Sequence, residues 1–295
     1  MTNPNFLFDK FSKALAYFKY CIRKVKNFIY REAYYLGDYQ SLTRLFNGLY
    51  FFVDTRDISV APSILARGEW EPNMTRIFLK TVHPGMTVID IGTHLGYYTV
   101  LAGMLVGETG KVYGFEANPI MFETLFKNIF INGLIERVTI ENKAVYSSST
   151  CLKFNTLKRA TGGNSIVSFS EDFKKTYQES IQTIEVEAVA LDEYFNSLPR
   201  KIDVLKIDAE GSEPYIFQGM KNILNENKNI TIFCEFDVGL ITGAGSDPKL
   251  FLEQLIQYGF KLQRIIDKNQ PVDTSIHELM KLRRGDLFLT KCSVN

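Results

Sequence analysis

Only four cysteines occur in the 295 residues, Cys21, Cys151, Cys234 and Cys292, and they form no CxxC pair. Such scatter gives neither a disulfide framework nor a cysteine-based zinc site, and is expected of reduced thiols. A charge of one sign is lacking as well: 34 Lys and Arg stand against 33 Asp and Glu, a net of +1. The molecule as a whole is therefore not an electrostatic binder of nucleic acid. No run approaches the ~20 uninterrupted apolar residues of a membrane span. Asp9, Lys10 and Lys13 interrupt the early apolar run that a secretory leader needs. A cytoplasmic location is the expectation. What is present is ordinary for a globular chain: 45% hydrophobic residues, enough for a sizeable core, and a length that suits one large domain plus an appendage.

The charge is unevenly placed. Residues 1–31 carry seven Lys and Arg against Asp9 alone, a local +6, so the remainder is at −5. Within that segment Leu7, Phe11, Leu15, Phe18, Ile22, Val25 and Ile29 recur at helical spacing. Residues 1–48 are read as a basic amphipathic helical arm and 49–295 as the main domain. Two uses fit the arm: peripheral contact of residues 6–31 with the anionic inner face of a membrane, or packing against the body or a second subunit of a homodimer.

From Thr87 onward, strands alternate with helices. "TVIDIG", "KVYGFE" and "RVTIEN" read as strands, separated by the helical "YYTVLAGMLV" and "PIMFETLFKNIFING". That rhythm implies right-handed crossovers and a parallel sheet covered on both faces. Residues 145–190 break it with short strands expected to be antiparallel and a Gly-Gly turn. It resumes with "IDVLKID", a helix and "NITIFCEF". The chain closes on a strand pair, "FKLQRIID" and "GDLFLTK", expected to form an antiparallel edge. A glycine loop at 238–247 is expected to rim a pocket together with the inserted strands.

In an open parallel sheet, ligands sit beyond the carboxyl ends of the strands where strand order reverses. The first strand of the alternation ends at Asp90 and Gly92, with Gly96 four residues on. Gly92 permits a tight turn and Gly96 lets the next helix pack closely. The G-x-x-x-G spacing is not the G-x-G-x-x-G of dinucleotide binding, which disfavours a nicotinamide dehydrogenase. Glu116 ends the second strand, placed to accept both hydroxyls of a ribose. With Asp90 as a second acid, the site suits a cationic, phosphate-free nucleoside better than a pyrophosphate: S-adenosylmethionine. His94, in the turn, would contact its methionine end or act as a base. Tyr97 and Tyr98 open the following helix, one of them expected in the core, and Tyr97 and Thr99 are further cofactor-binding candidates. Ala117 and Asn118, which follow Glu116, are cofactor-binding candidates as well, and so are Lys143 and Ala144, which lie where the adenine edge should be.

"VIDIGTHLGYYT", "GFEANP", "NKAVYS" and "LKIDAEGSEPYIFQGM" resemble the FkbM-type family of S-adenosylmethionine-dependent methyltransferases. "ILARGEWEP" is similar to the segment before that family's first strand, and the resemblance spans roughly residues 50–290. It implies an α/β, Rossmann-like seven-stranded class I methyltransferase sheet with a reversed last strand. It also implies methylation of a hydroxyl, often on a sugar or small natural product, in such settings as polysaccharide biosynthesis. One departure stands out: the family usually has Asn where this chain has His94.

Methyl transfer to oxygen needs alignment, exclusion of water and removal of the hydroxyl proton. Asp208 and Glu235 end neighbouring strands and Glu210 follows in the turn, so these three are the catalytic candidates. Asp208, Glu235 and Asp237 are candidate oxygen ligands for Mg²⁺. The competing reading is that the acids shape the turn and pair with a lysine or arginine. Arg159, Asn164 and Ser165 of the insertion face either a polar acceptor or solvent. The acceptor itself, small molecule or glycan, is not legible. A non-catalytic S-adenosylmethionine-binding scaffold is the alternative to an enzyme.

Overall fold

Val88, Ile89, Ile91, Val204, Leu205, Ile207, Ile232 and Phe233 are all buried, so these strands are apolar on both faces. Strands of that kind belong inside a parallel sheet layered by helices. The computed structural model describes residues 32–168, 179–198, 201–267 and 270–291. The amphipathic stripe of residues 6–29 lies outside the described residues.

Three strands come first, β1 (Ala33–Gly37), β2 (Gln40–Arg44) and β3 (Tyr50–Asp54). Helices α1 (Ala61–Arg67) and α2 (Pro72–Thr81) follow, with Gly68 left-handed between them. The alternation is β4 (Thr87–Ile91), α3 (Tyr97–Leu105), β5 (Lys111–Phe115), α4 (Pro119–Ile131) and β6 (Val138–Glu141). The insertion supplies β7 (Ala144–Val145), β8 (Thr150–Leu157) and β9 (Ile181–Val189). Then come α5 (Leu191–Tyr194), β10 (Val204–Ile207), α6 (Glu213–Gln218), α7 (Lys221–Glu226) and β11 (Thr231–Asp237). The chain ends through α8 (Val238–Gly243), α9 (Pro248–Gln257), β12 (Phe260–Arg264), β13 (Val272–Asp273), α10 (Ile276–Leu282) and β14 (Arg284–Lys291).

The main sheet runs β13-β12-β14-β11-β10-β4-β5-β6. β4 is parallel to both β5 and β10, so successive crossovers leave it in opposite directions and open a crevice at its carboxyl end. The strands' period of two divides the core. Ile89, Ile91, Leu205 and Ile207 face one helical layer, and Val88 and Val204 face the other with Phe78 and Leu101. Full burial of each such side chain contributes ~1.5–3 kcal/mol.

Three expectations need correction. The closing strand pair is antiparallel but is not the edge: β14 inserts between β11 and β12, antiparallel to both. Its Leu287 and Leu289 are fully buried, which an edge position would not provide. The two-residue β13 makes an eighth strand outside β12. Residues 33–48 are not a helical arm: β1, β2 and β3 form a separate antiparallel sheet. Two hairpin signals turn the chain there, the left-handed Gly37-Asp38-Tyr39 and the Asn47-Gly48 turn. This sheet is fixed to α4 through Asn128, whose Oδ1 accepts from Phe52 N at 2.6 Å and whose Nδ2 donates to Phe52 O at 3.1 Å. Finally, residues 238–243 are helix, not loop, because Asp237 caps them by accepting from Gly239 N and Leu240 N. The insertion is a sheet of its own, β7-β9-β8, in which β8 and β9 are antiparallel but β7 runs parallel to β9. Among the described residues no helix is long and apolar enough to cross a membrane.

Candidate active site

The turn after β4 is held by two glycines for different reasons. A Cβ on Gly92 would lie 1.8 Å from the Asp208 carbonyl oxygen, and one on Gly96 would lie 2.4 Å from Leu125 Cδ1 of α4. Both have φ in the left-handed region, +74° and +88°. The first contact presses the turn of β4 onto the turn of β10, and the second seats α3 against α4. Asp90, one residue before the end of β4, is 1% exposed. Its Oδ2 accepts from the Thr99 hydroxyl at 2.6 Å, whereas its Oδ1 is buried without a partner. Burial raises its carboxyl above the usual range.

Glu116 closes the opposite side. Its Oε2 accepts from His94 N at 2.7 Å and its Oε1 from Asn118 N at 2.8 Å. A carboxylate has about four acceptor positions, so two remain open. Burial pushes Glu116 up to about 7. His94 itself is left-handed, φ +53°. Its Nε2 is 2.8 Å from Thr161 Oγ1, and the Thr161 hydroxyl donates to Asp57 Oδ1 at 2.9 Å. Because that hydroxyl proton is already committed, Nε2–H is the donor to Thr161. Burial lowers the imidazole's proton affinity, so the ring is neutral at pH 7.

These groups open into a cleft at the carboxyl ends of the strands. Gly92, His94, Glu116 and Ala117 form its floor with Lys143 and Ala144 at one end. Asp208, Ala209 and Glu210 form the other end. Leu152, Phe154, Thr161, Asn164 and Ile166 of the insertion form the roof. Asn164 Nδ2 is buried there without a partner. The roof is tied down by Thr161 and by Gly162 N, which donates to Ser59 Oγ at 3.0 Å.

Other candidates have different places. Tyr97 does not line the cleft. It is 4% exposed, packs edge-on to Phe51, and shares a hydrogen bond with Thr75 Oγ1 at 3.2 Å. Tyr98 is equally buried, so both tyrosines are core. Thr99 serves Asp90, and the Asn118 side chain caps α4 by accepting from Ile120 N. Lys143 Nζ is near Glu187 at 3.8 Å and Glu141 at 4.0 Å. Ser165 is fully buried and donates to the Glu210 carbonyl at 2.6 Å; Arg159 is exposed.

Behind Asp208 and Glu210, outside the residues that line the cleft, lie Lys206 and Glu213, to which pattern reading gives no role. Lys206 precedes Asp208 by two, on the same face of β10, and is 3% exposed. Its Nζ donates to Asp208 Oδ2 at 2.9 Å and lies 4.7 Å from the Tyr98 ring centroid. Burial opposes its charge, but Asp208, Asp90 and Glu71 hold its pKa above the ordinary value. Glu71, half-buried, accepts from Tyr98 Oη at 2.9 Å. Glu213 is 1% exposed and holds the 209–211 turn by accepting from Ala209 N and Gly211 N, each at 3.0 Å. Asp208, Glu210 and Glu235 come together, one oxygen of each within 4.8 Å of the others. Asp237 does not join them: it is the cap of α8.

A glycine turn after the first strand, an acid ending the second, and a cleft at the switch point of a β6-β5-β4-β10-β11-β14-β12 sheet define a class I S-adenosylmethionine-dependent methyltransferase. The methyltransferase FkbM domain matches residues 90–262, more than half of the chain, and the chain belongs to that family. Similar solved structures include methyltransferase FkbM from Methylobacillus flagellatus, 15% identical with a TM-score of 0.41, the match covering 70% of this chain and 43% of that one. A SAM-dependent methyltransferase from Aquifex aeolicus is 14% identical with a TM-score of 0.39, over 78% of this chain and 94% of the other. An O-methyltransferase from Bacillus cereus in complex with SAH is 14% identical with a TM-score of 0.43, over 76% and 83%. No curated protein matches the chain.

Proposed function

We propose that the protein transfers the methyl group of S-adenosylmethionine to a hydroxyl, and that the acceptor is a sugar or similar polyol. The cofactor assignment fits the residues present. Asp90 Oδ1 is an orphaned buried acceptor, Glu116 keeps two open acceptor positions for ribose hydroxyls, and the left-handed Gly92 and Gly96 hold the turn between them. Ala117 and Ala144 would border the adenine, beside the apolar Leu152 and Phe154 of the roof.

The observation that carries the oxygen acceptor is the acid end of the cleft. When bound, the cofactor supplies a methyl carbon activated by its sulfonium. The acceptor oxygen forms the new C–O bond, the C–S electron pair passes to sulfur, and the hydroxyl proton must leave. Asp208, oriented by Lys206 at 2.9 Å, is the carboxylate that takes it. The unpartnered Asn164 Nδ2 in the roof is a donor for a second acceptor hydroxyl. Asp208→Asn removes the base while leaving the glycine turn intact. Turnover on hydroxylated acceptors should fall ~10²–10⁴-fold with cofactor affinity changed less than about threefold. A radiolabelled methyl-transfer assay on nucleotide sugars and oligosaccharides, with wild type and variant, tests both statements. Near-wild-type turnover in the variant rejects the base. Failure to label any hydroxyl acceptor, despite cofactor binding, favours the scaffold reading.

A further inference from the structure

We propose that the outer face of the β1-β2-β3 sheet is the docking surface for this chain's own residues 18–29. The inner face of that sheet is occupied by the body. Ser41 and Thr43 of β2 are buried, and so are their cross-strand partners Val53 and Phe51 of β3. The period of two turns the alternate residues outward. Tyr34, Leu42 and Phe52 stand opposite one another across all three strands, and Tyr50 lengthens the row along β3. Tyr34 is 56% exposed and Tyr50 37%, with Leu42 and Phe52 half-buried. A sheet face of that composition calls for a further layer of secondary structure.

The face is held firmly in place. Asn128 pairs with both backbone groups of Phe52, and its Nδ2 also donates to Leu95 O of the glycine turn at 2.8 Å. Asn132 does the same for Tyr50, accepting from its N at 3.0 Å and donating to its O at 2.8 Å. Two asparagines of α4 thus close the β3 edge as a fourth strand would, and the surface is preformed for an occupant.

Length, width and chain continuity select that occupant. Phe18, Ile22, Val25 and Ile29 are the carboxyl-terminal part of the apolar stripe, and Lys19, Arg23 and Lys24 fall outside their arc. Twelve residues at ~1.5 Å each make a helix of ~18 Å. The five-residue strands are ~17 Å long at ~3.4 Å per residue. Two strand spacings of ~4.8 Å give a width of ~10 Å, the diameter of one helix. The entry to β1 is fixed, because Glu32 O accepts from Thr43 Oγ1 at 2.8 Å. Residues 30–32 separate Ile29 from Ala33, and connections of ~2–6 residues are the usual join between a helix and a strand. The segment is therefore delivered to its own sheet, antiparallel to β1. Its tether gives it an effective concentration on the order of millimolar, against which a second copy or a membrane has to compete from solution.

The test is hydrogen exchange, read by mass spectrometry, on the full chain at a concentration where sedimentation shows a monomer. Amides of residues 18–29 should exchange at least tenfold more slowly than in a synthetic peptide of the same residues. Val25→Asp in the segment and Leu42→Asp in the sheet should each abolish that protection. The double variant should exchange no faster than either, because both changes break one contact. Val25→Asp leaves the sheet and its core unaltered, so its effect cannot come from a misfolded body. Fast exchange of residues 18–29 in the wild-type monomer, or protection that survives both substitutions, overturns the docking. Protection that appears only with vesicles of phosphatidylcholine and phosphatidylserine assigns the segment to a membrane instead. Protection that appears only where the protein dimerises assigns it to a second copy, and either outcome also overturns the proposal.

Discussion

Replacing Glu116 by alanine has two consequences that the geometry separates. The carboxylate accepts His94 N at 2.7 Å and Asn118 N at 2.8 Å, both inside the fold. Removing it strands two N–H groups at ~1–3 kcal/mol each, so the variant should lose about 2–6 kcal/mol of stability. That is a large part of the ~5–15 kcal/mol of a typical domain. The thermal midpoint of the ligand-free variant should fall by roughly 5–15 °C. Below that midpoint, the variant also lacks the proposed acceptor for the ribose. Two charge-assisted bonds of ~1.5–3 kcal/mol, offset by water, should still leave Kd for S-adenosylmethionine at least about tenfold weaker. Calorimetry at 15 °C, with circular dichroism confirming the fold, isolates the second effect from the first. In wild type, Glu116 titrates at about 7, and its charged form is the better acceptor. Kd should therefore rise as pH falls from 8 to 6, and that dependence should vanish in Glu116→Ala. An unchanged Kd in a folded variant, or a pH dependence that survives it, refutes the ribose assignment.

Lys206→Met should cost about 3–5 kcal/mol, because Asp208 and the buried Asp90 lose their cation; chemical denaturation measures it, and a loss under 1 kcal/mol would show the pairing to be idle. Gly92→Ala should abolish cofactor binding and lower the melting temperature, since its Cβ would overlap the Asp208 carbonyl; a crystal structure of a binding-competent variant would contradict this. Glu116 and Glu213 are each pushed up to about 7 by burial, against ~4.3 when unfolded. The stability they contribute is fully present below pH ~4.3 and lost as pH rises through about 7. The ligand-free protein should therefore melt higher at pH 5.5 than at pH 8, and a flat or opposite profile would count against their buried state. The basic residues 1–31 lend themselves to liposome sedimentation. Binding to anionic vesicles that salt reverses and truncation removes supports membrane contact. Full-length protein left in the supernatant at low salt, with truncation shifting dimer to monomer, supports assembly.

Much of the sheet was legible because its strands are buried on both faces and its helices carry Pro and Gly at their ends. Gly92, Gly96 and Glu116 were legible for the same local reason: their turns admit few other residues. Lys206 was not, because a lysine inside "DVLKID" looks like a solvated interruption until the period of two places it beneath Asp208. Glu213 was hidden by its role, since a buried carboxylate that caps a turn has no periodic signature. The position of β14 depends on long-range pairing, which no local pattern encodes. The strands at 33–44 were lost to a neighbouring helical stripe, although Asn47-Gly48 announced a hairpin.

The close approach of Gly92 to the Asp208 carbonyl, beside the Asp208 N to Ile91 O hydrogen bond, joins the cofactor turn to the acid turn through main chain alone. Side-chain replacement cannot change that spacing, so the distance between the glycine turn and Asp208 is inherited with the sheet. The roof is different: Leu152, Phe154, Asn164 and Ile166 belong to an insertion fastened to the floor by hydroxyl groups and a few backbone bonds. A lineage, or an engineer, can therefore exchange the roof while the chemistry beneath it stays in register. Transplanting residues 150–168 between family members is then the shortest route to a new acceptor, with the methyl donor left undisturbed.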